Sequence, residues 1–190
     1  TLLDSPVKNE TIDEEKKAKI DNDKCISCGA CVYKCPFGAI TDKSFVLDII
    51  DILKKSENNT KYRVYAVIAP AIVSQCRFGR PTQVVTAIQK LGFHQVVEAA
   101  LGADVTLYNE ALEWKEKGLM TTSCCPSYVA FIEKNFPELV KHISHSVSPM
   151  ILTAQMIKHS DPTAKVIFIG PCASKKFEFK LEKTGGAIDC

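Results

Sequence analysis

The sequence predicts an α/β fold in which helices flank a mainly parallel sheet. Two apolar segments, VYAVIA at 64–69 and KVIFIG at 165–170, are typical of buried strands, and segments with helical periodicity lie between them. A third observation is the cysteine content, since four of nine cysteines fall within residues 25–35. An odd count bunched in this way favours metal binding over a disulfide framework. We therefore expect one α/β domain preceded by a small cysteine-rich unit.

The composition is that of an ordinary globular protein. Of the 190 residues, 46% are hydrophobic and 24% are charged, and the net charge is +2. Acids and bases are interspersed, so the sequence predicts no nucleic-acid partner. We expect no membrane span, because no apolar run reaches the roughly 18 residues required. With no signal-peptide pattern at the N-terminus, the thiols indicate a reducing cytoplasm.

The chain divides into four segments by composition. Residues 1–23 are polar and charge-rich and predict a linker or an extended arm. Residues 24–42 hold the compact cysteine block, and residues 43–61 are expected to form a connecting helix, FVLDIIDILKK, and a linker. Residues 62–190 carry the alternating strands and helices.

Within the α/β region, turn residues and periodicity indicate the order of the elements. Strands are predicted at 64–69, 95–100, 119–123 and 165–170. Helices are predicted from Pro81, over 103–118, from Pro126 and from Pro149.

The cysteine block has the spacing of a ferredoxin motif. Cys25, Cys28, Cys31 and Cys35 give C-x2-C-x2-C-x3-C followed by proline. This spacing lets three thiolates converge on one 4Fe–4S cluster, while Gly29 allows close approach of the backbone. The fourth cysteine either completes this site or, as in two-cluster ferredoxins, binds a neighbouring cluster. The alternatives are a zinc knuckle or free thiols.

A second group of cysteines follows the ends of predicted strands. Cys124 and Cys125 lie in TTSCCPSY, directly before a helix that begins at Pro126, and Cys172 lies in IGPCASKK. A thiolate at a helix N-terminus is stabilised by the dipole and the free N–H groups. Ligands of parallel sheets gather at the carboxyl edge, so we expect these thiols to share one site. The alternative is that they are buried apolar thiols.

These segments together resemble the iron-only (di-iron, FeFe) hydrogenases. TSCCP and PCASKKFE match that family's first two signature segments, and the preceding APA at 69–71 and the ferredoxin run match its order. The resemblance extends from about Asp23 to the end. It implies one lobe of the hydrogenase catalytic domain plus a small α+β ferredoxin-like unit. It also implies reversible reduction of protons to H2, with ferredoxin or another redox protein as electron partner.

The resemblance assigns roles at the second group of cysteines. Cys125 and Cys172 match two thiolates of the cubane in the H-cluster, which is a 4Fe–4S cluster joined to a di-iron unit. Cys124 matches the thiol that passes protons to the di-iron unit, and Lys175 matches the lysine that donates to a cyanide ligand. The remaining residues implied to line the cofactor are Ala69, Pro70, Ser123, Pro171 and Glu178.

A proton path is indicated by two carboxylates. Glu110 and Glu113 lie three residues apart and share one helix face, although most such pairs are simply solvated. In the family the relay runs through two glutamates, a serine and the cysteine. Glu110, Glu113, Ser144 and Cys124 match those positions.

The sequence departs from the family in three ways. The third signature segment, with two more cysteines, does not occur in the 190 residues, so we expect a fragment or one subunit that is inactive alone. Such a piece should expose an apolar cleft beside Cys124, Cys125 and Cys172. Gly170 stands where the best-known members carry methionine, and Met150 stands where they carry glutamine.

Other functions remain open on the same scaffold. A non-enzymatic iron–sulfur assembly factor of the hydrogenase-like type would usually have Ala-Cys-Pro, whereas this chain retains Cys124. An H2-sensing protein would need a signalling domain, and a plain electron carrier would not need the second group of cysteines. Cys76, Cys190 and the four histidines receive no role.

Overall fold

The computed structural model describes residues 10–12, 18–76 and 79–190. Much of the arm predicted over 1–23 lies outside these residues. The described part contains two short antiparallel strands, β1 (Glu10–Ile12) and β2 (Ala18–Ile20), with Glu10 opposite Ile20. These strands lie upstream of the boundary that the sequence predicted at residue 24.

The cysteine block contains one short helix and is followed by a longer one. Helix α1 (Ala30–Lys34) begins after Gly29, whose φ of 75° is readily reached only by glycine. Helix α2 (Val46–Lys55) confirms the predicted connecting helix. Its partly buried residues pack against one face of the sheet, so the connection is part of the lobe's packing.

The predicted parallel sheet is confirmed, with three strands in the order β4-β3-β5. Strand β3 (Val64–Ile68) lies in the middle, β4 (Gln95–Glu98) pairs with it on one side and β5 (Lys165–Ile169) on the other. The middle strand is almost fully buried, as expected for a strand covered on both faces.

The helices lie on both faces of this sheet. They are α3 (Ile72–Gln75), α4 (Pro81–Lys90), α5 (Ala100–Lys117), α6 (Pro126–Asn135), α7 (Pro149–Ser160) and α8 (Ala173–Glu178). Short 3-10 turns cover Pro137–His142 and Glu182–Thr184. The starts predicted at the three prolines are confirmed, because the first helical position needs no N–H.

Two of the predicted strands differ from the structure. The strand predicted over 95–100 ends at Glu98, so α5 begins at Ala100 and not at 103. The strand predicted over 119–123 does not form. Only Thr121 makes a bridge, to Ile143, because the neighbouring 3-10 turn offers no continuous row of backbone partners.

The core has two halves, one on each face of the sheet. One half joins the sheet to α7 through Val67, Ala99, Met150, Ile151, Ala154, Val166, Ala187 and Ile188. The other half lies under α2 and α4 and contains Val64, Ala66, Ile68, Ile88, Phe93, Ile167 and Cys190. Beside β5, the terminal segment donates from Asp189 N–H to the Val166 carbonyl at 2.8 Å. Both faces of the sheet are therefore covered.

A glycine permits close packing of α5 against α7. A Cβ at Gly102 in α5 would lie 2.4 Å from the carbonyl oxygen of Pro149 and 2.4 Å from Oγ1 of Thr153, both in α7. No side chain fits in that space, so α5 approaches α7 directly. This packing orients the helix that carries both candidate relay glutamates.

Candidate cluster-binding and proton-relay site

The ferredoxin motif has backbone amides aimed at its sulfurs. The N–H of Ser27 donates to Sγ of Cys25 at 3.3 Å, and the N–H of Ala39 donates to Sγ of Cys35 at 3.3 Å. Ser27 has a φ of 56°, an uncommon conformation for a residue with a side chain. Amide hydrogen bonds to sulfur are among the features that tune iron–sulfur clusters, so this loop fits a cluster.

The backbone around Cys35 favours the thiolate form of this residue. The backbone N–H groups of Phe37, Ala39 and Ile40, in that order, lower the pKa of its thiol. Iron binds the thiolate and not the thiol, so the loop favours the state that binds a cluster.

All nine cysteines lie in the described residues and carry free thiols. Within residues 10–12, 18–76 and 79–190, no three His, Cys, Asp or Glu side chains form a group ready to hold a metal ion.

The second group of cysteines lies at two helix N-termini. Cys125 is the N-cap of α6 and Cys172 is the N-cap of α8, as the sequence predicted for the first of them. These two thiols and Cys124 are all exposed. The carboxyl ends of β3 and β5 lie side by side at this edge of the sheet, where the Ala69 N–H donates to the Ile169 carbonyl at 2.9 Å.

The other predicted lining residues lie on the connections at that edge. Ala69 and Pro70 follow β3 directly, and Pro171 joins β5 to α8. Ser123 precedes the cysteine pair, and its hydroxyl donates to the carbonyl of Ser146 at 2.5 Å.

Lys175 links the two signature segments. Its ammonium group donates to the backbone carbonyl of Cys124 at 2.9 Å and to Oε2 of Glu178 at 2.6 Å. Glu178 is buried, and the same oxygen accepts the hydroxyl of Ser148 at 3.0 Å. Glu178 therefore pairs with the lysine and holds it against the loop of the cysteine pair.

A mainly apolar cavity of about 160 Å³ lies beside Cys172, whereas the sequence predicted a cleft beside Cys124 and Cys125 as well. Cys124 and Cys125 are not part of its lining. The lining residues are Ser44, Phe45, Val46, Ile49, Met150, Phe168, Gly170, Cys172, Lys175, Lys176, Phe179 and Cys190.

Gly170 and Met150, the two positions at which the residue differs from the best-known members of the family, both line this cavity. A Cβ at Gly170 would lie 2.6 Å from the ring of Phe168 and 3.1 Å from Cβ of Ala69. A methionine at 170 does not fit while that ring keeps its place. The ring of Phe168 thus fills space that a larger residue at 170 would need.

Glu113 is the best-connected carboxylate of the candidate relay. Its Oε2 accepts the hydroxyl of Ser144 at 2.7 Å, and its Oε1 accepts the ammonium of Lys117 at 2.6 Å. The N–H of His145 donates to both oxygens at 3.1 Å. The imidazole Nε2 of His145 lies 3.9 Å from Oε1, and its side chain is 82% exposed.

These donors hold Glu113 ionised. Burial raises the pKa of this carboxyl, but the bonds from Lys117, Ser144 and His145 outweigh that effect and lower the pKa to about 2. Glu113 is therefore a carboxylate at neutral pH.

Glu110 lies on the inner part of the same helix face. It is buried, and its Oε1 accepts the N–H of Ser123 at 3.4 Å, directly before Cys124. Sγ of Cys124 lies 3.6 Å from Oγ1 of Thr122. The four candidate relay residues thus come from three segments: the cysteine pair, α5 and the turn that carries Ser144.

The ferredoxin motif lies against the second group of cysteines. A Cβ at Gly29 would lie 3.0 Å from Cβ of Ala173, and these two residues directly follow Cys28 and Cys172. On α6, the ammonium of Lys134 donates to the carbonyl of Cys25 at 2.8 Å. The two cysteine segments are therefore neighbours in space.

Sequence reasoning missed three cations that surround these groups. Lys117 lies four residues after Glu113, so helical spacing alone could have indicated the pair. Lys134 donates to the Asn22 carbonyl in the loop before the first cysteine. Lys176 forms an ion pair with Asp42 at 2.5 Å. Both contacts join residues that are far apart in the sequence. Nothing local in the sequence indicates those two contacts.

In the part of the chain that the structure describes, no helix combines the length and the apolar character that crossing a membrane requires.

Comparison with known proteins agrees with the geometry of this site. Residues 62–190 match the family described as iron only hydrogenase large subunit, C-terminal domain, and residues 18–41 match the 4Fe-4S binding domain. Iron hydrogenase 1 of Clostridium pasteurianum is 29% identical over 94% of this chain and 42% of its own length. The cytosolic Fe-S cluster assembly factor NAR1 of Kluyveromyces lactis is 36% identical over 40% of this chain and 16% of its own length.

A solved structure agrees as well. The apo [FeFe]-hydrogenase HydA1 from Chlamydomonas reinhardtii, variant C377H, superposes with a TM-score of 0.61 at 26% identity, over 72% of this chain and 40% of that one. The chain spans less than half the length of each of these three proteins. With its parallel sheet, its 4Fe–4S motif and its match over 62–190, the chain belongs to the iron-only hydrogenase large-subunit family.

Proposed function

We propose that this chain contributes the electron entry, half of the cubane ligands and the proton relay of an iron-only hydrogenase, which interconverts protons and H2. The observation that carries the proposal is the hydrogen bond from Ser144 to Glu113, on the same helix face as the buried Glu110. A carrier of electrons alone has no use for such a buried row of carboxylates and hydroxyls.

The relay proposed here runs inward from the surface. Glu113, with the exposed His145 beside it, takes up a proton and passes it to the hydroxyl of Ser144. Glu110 receives the proton at the inner end of the relay, next to Ser123. Cys124 then passes the proton to the cofactor site. Because Glu113 is held ionised, it is available to accept a proton.

The cluster ligands proposed are the four thiols of the ferredoxin motif for one 4Fe–4S cluster and Cys125 with Cys172 for the H-cluster cubane. The exposed N-cap positions of these two thiols fit that role. When bound, the H-cluster supplies the redox chemistry of H2. Lys175, held by Glu178 and the Cys124 carbonyl, presents its charge at the same edge.

Electrons enter through the ferredoxin motif. The contact between Gly29 and Ala173 supports this route, because each residue adjoins a cysteine of a different cluster. We propose a ferredoxin or a similar redox protein as the partner and a cytoplasmic location. The organisation proposed is a small cluster unit over 24–42, a connection over 43–61 and a catalytic lobe over 62–190.

The test uses the full-length protein, purified and assayed without oxygen. Cys124→Ala, Glu110→Gln and Glu113→Gln are expected to lower H2 evolution by at least about 100-fold, the scale of a lost proton-transfer group. Iron content and the spectrum of the reduced clusters should not change. Glu116→Gln, exposed on the same helix, is the matched control. Full H2 evolution in the Glu113→Gln protein would contradict the relay.

The second candidate is a non-enzymatic iron–sulfur assembly factor, which the similarity to NAR1 favours. In that case the protein still binds iron through Cys125 and Cys172, but it evolves no H2. Growth or cluster delivery would then respond to Cys125→Ala and be indifferent to Glu113→Gln. The retained Cys124 supports the hydrogenase.

A further inference from the structure

A hydrogen bond joins the first turns of the two helices that begin at the cluster cysteines. The hydroxyl of Ser127 in α6 donates to the hydroxyl of Ser174 in α8 at 2.7 Å. Ser174 is only 2% exposed, and Ser127 is half-buried. The bond is therefore sheltered from water, where a hydrogen bond is more costly to lose.

The two serines occupy the same position in their helices. Ser127 lies two residues after the N-cap Cys125, and Ser174 lies two residues after the N-cap Cys172. Helices α6 and α8 are not consecutive, since α7 and β5 separate them along the chain. The equal offset means that the bond lies at the same distance along the chain from each thiol.

A bond at this place constrains the thiols through the backbone. The first turn of a helix is stiff, and Pro126 further restricts φ between Cys125 and Ser127. When the two hydroxyls are held together, the two N-caps cannot move apart independently.

We propose that Ser127 and Ser174 are positioning residues that hold Cys125 and Cys172 at the separation required to bind one cubane. The inference rests on the proposed function only in assigning both thiols to one cluster, and it is independent of H2 chemistry. It holds equally for a hydrogenase and for an assembly factor.

The first test uses the full-length apoprotein, without iron. A short bifunctional thiol reagent is added, and the cross-linked Cys125–Cys172 peptide is followed over time by mass spectrometry. Ser127→Ala and Ser174→Ala are expected to slow this cross-link about fivefold, the factor that corresponds to the ~1 kcal/mol net value of a hydrogen bond. Ser127→Thr keeps the hydroxyl and should restore the rate. Ser160→Ala, at the exposed end of α7, is the control.

Combining the changes separates positioning from general stability. If the serines act through their mutual bond, Ser127→Ala/Ser174→Ala slows the cross-link no more than either single change. Cross-linking at the wild-type rate in folded single variants would overturn the proposal, even if their unfolding temperatures fall. A double variant whose effect is the product of the two single effects would also overturn it.

The second test follows the cluster itself in the reconstituted protein. A ferrous chelator should remove the cubane held by Cys125 and Cys172 about fivefold faster from Ser127→Ala than from wild type. The ferredoxin cluster in the same chain is the internal reference, and its loss should not change. If the wild type forms no second cubane, the proposed function fails, while the cross-linking rates still decide the role of the serines.

Discussion

The small cysteine unit and the α/β lobe are stabilised in different ways. Helix α1 contains no buried residue, and its unit meets the lobe through the close approach of Gly29 to Ala173 and through exposed bonds such as those from Lys134 to the Asn22 and Cys25 carbonyls. The lobe buries Val64 and Val67 of β3 and Val166 and Ile167 of β5 completely. The lobe therefore has a core of its own, whereas the small unit depends on its cluster and its neighbour.

The magnitudes favour the same conclusion. A fully buried Val or Ile stabilises the folded state by roughly 1.5–3 kcal/mol, whereas an exposed polar contact contributes about 1 kcal/mol or less. Metal ligation contributes roughly 10 kcal/mol or more in small zinc domains, where the metal is the core. We expect iron to have the corresponding role for residues 18–41 and to be dispensable for the fold of 62–190.

Removing the iron should produce the largest effect and separates the two regions directly. Chelation is expected to expose the amides of 21–41 to hydrogen exchange, because the thiols lose the group that gathers them. The amides of Val64, Val67 and Ile167 should stay protected. Hydrogen exchange with mass spectrometry measures both regions in one experiment. Equal loss of protection in both regions would contradict a self-sufficient lobe.

A methyl group at Gly102 should destabilise the lobe. Because a Cβ there would lie 2.4 Å from Pro149 O and from Thr153 Oγ1, Gly102→Ala forces α5 away from α7. The expected loss is about 1–3 kcal/mol of unfolding free energy, measured with urea. Gly79→Ala is the matched control, since its Cβ meets only the Gln83 side chain at 3.4 Å. A loss at position 79 as large as at position 102 would argue against a packing origin.

Acid should weaken the lobe through Glu113. The folded-state pKa of this carboxyl is lowered from 4.5 to about 2, so its contribution is present above pH 4.5 and is lost as pH falls towards 2. Lys117→Met removes one donor to Glu113 and should raise the pKa of the Glu113 carboxyl. The pH range over which acid lowers the stability through this group then becomes narrower. Urea unfolding at a series of acidic pH values measures the change. If Glu113→Gln shows the same acid slope as wild type, another carboxylate is responsible.

The smallest effect is expected where the two regions meet. Lys134→Met removes the exposed bonds to the Asn22 and Cys25 carbonyls and should cost about 0.5–1 kcal/mol. Hydrogen exchange should rise in the loop before Cys25 and stay unchanged in β3. Lys90→Met, on α4, is the control. A change in the whole lobe would mean that this contact stabilises more than the loop.

Local patterns predicted most of the fold correctly. Helix starts at Pro81, Pro126 and Pro149 depend on the proline and the residues next to it, so the sequence is sufficient. The strand predicted over 119–123 failed for the opposite reason. A strand needs a partner, and Thr121 finds only Ile143.

The candidate site also contains some contacts that local spacing predicts and others that depend on distant residues. Spacing along one helix relates Glu110 to Glu113, and it could also have found Lys117. The bond from Lys175 to the Cys124 carbonyl and the ring of Phe168 over Gly170 could not be predicted from spacing. These contacts join residues through the packing of the sheet and its helices.

Ligand spacing in C-x2-C-x2-C-x3-C and thiols next to Pro126 and Pro171 are local properties of the chain, so the sequence was sufficient to predict a 4Fe–4S site and a second group of candidate ligands. It also determined the parallel sheet, since buried apolar strands alternate with helices. Three contacts at the site follow from the packing of the elements and from no local pattern: Ser144 with Glu113, Ser127 with Ser174, and Gly29 with Ala173. The physical reason is that such contacts depend on how whole elements pack, which no local pattern encodes.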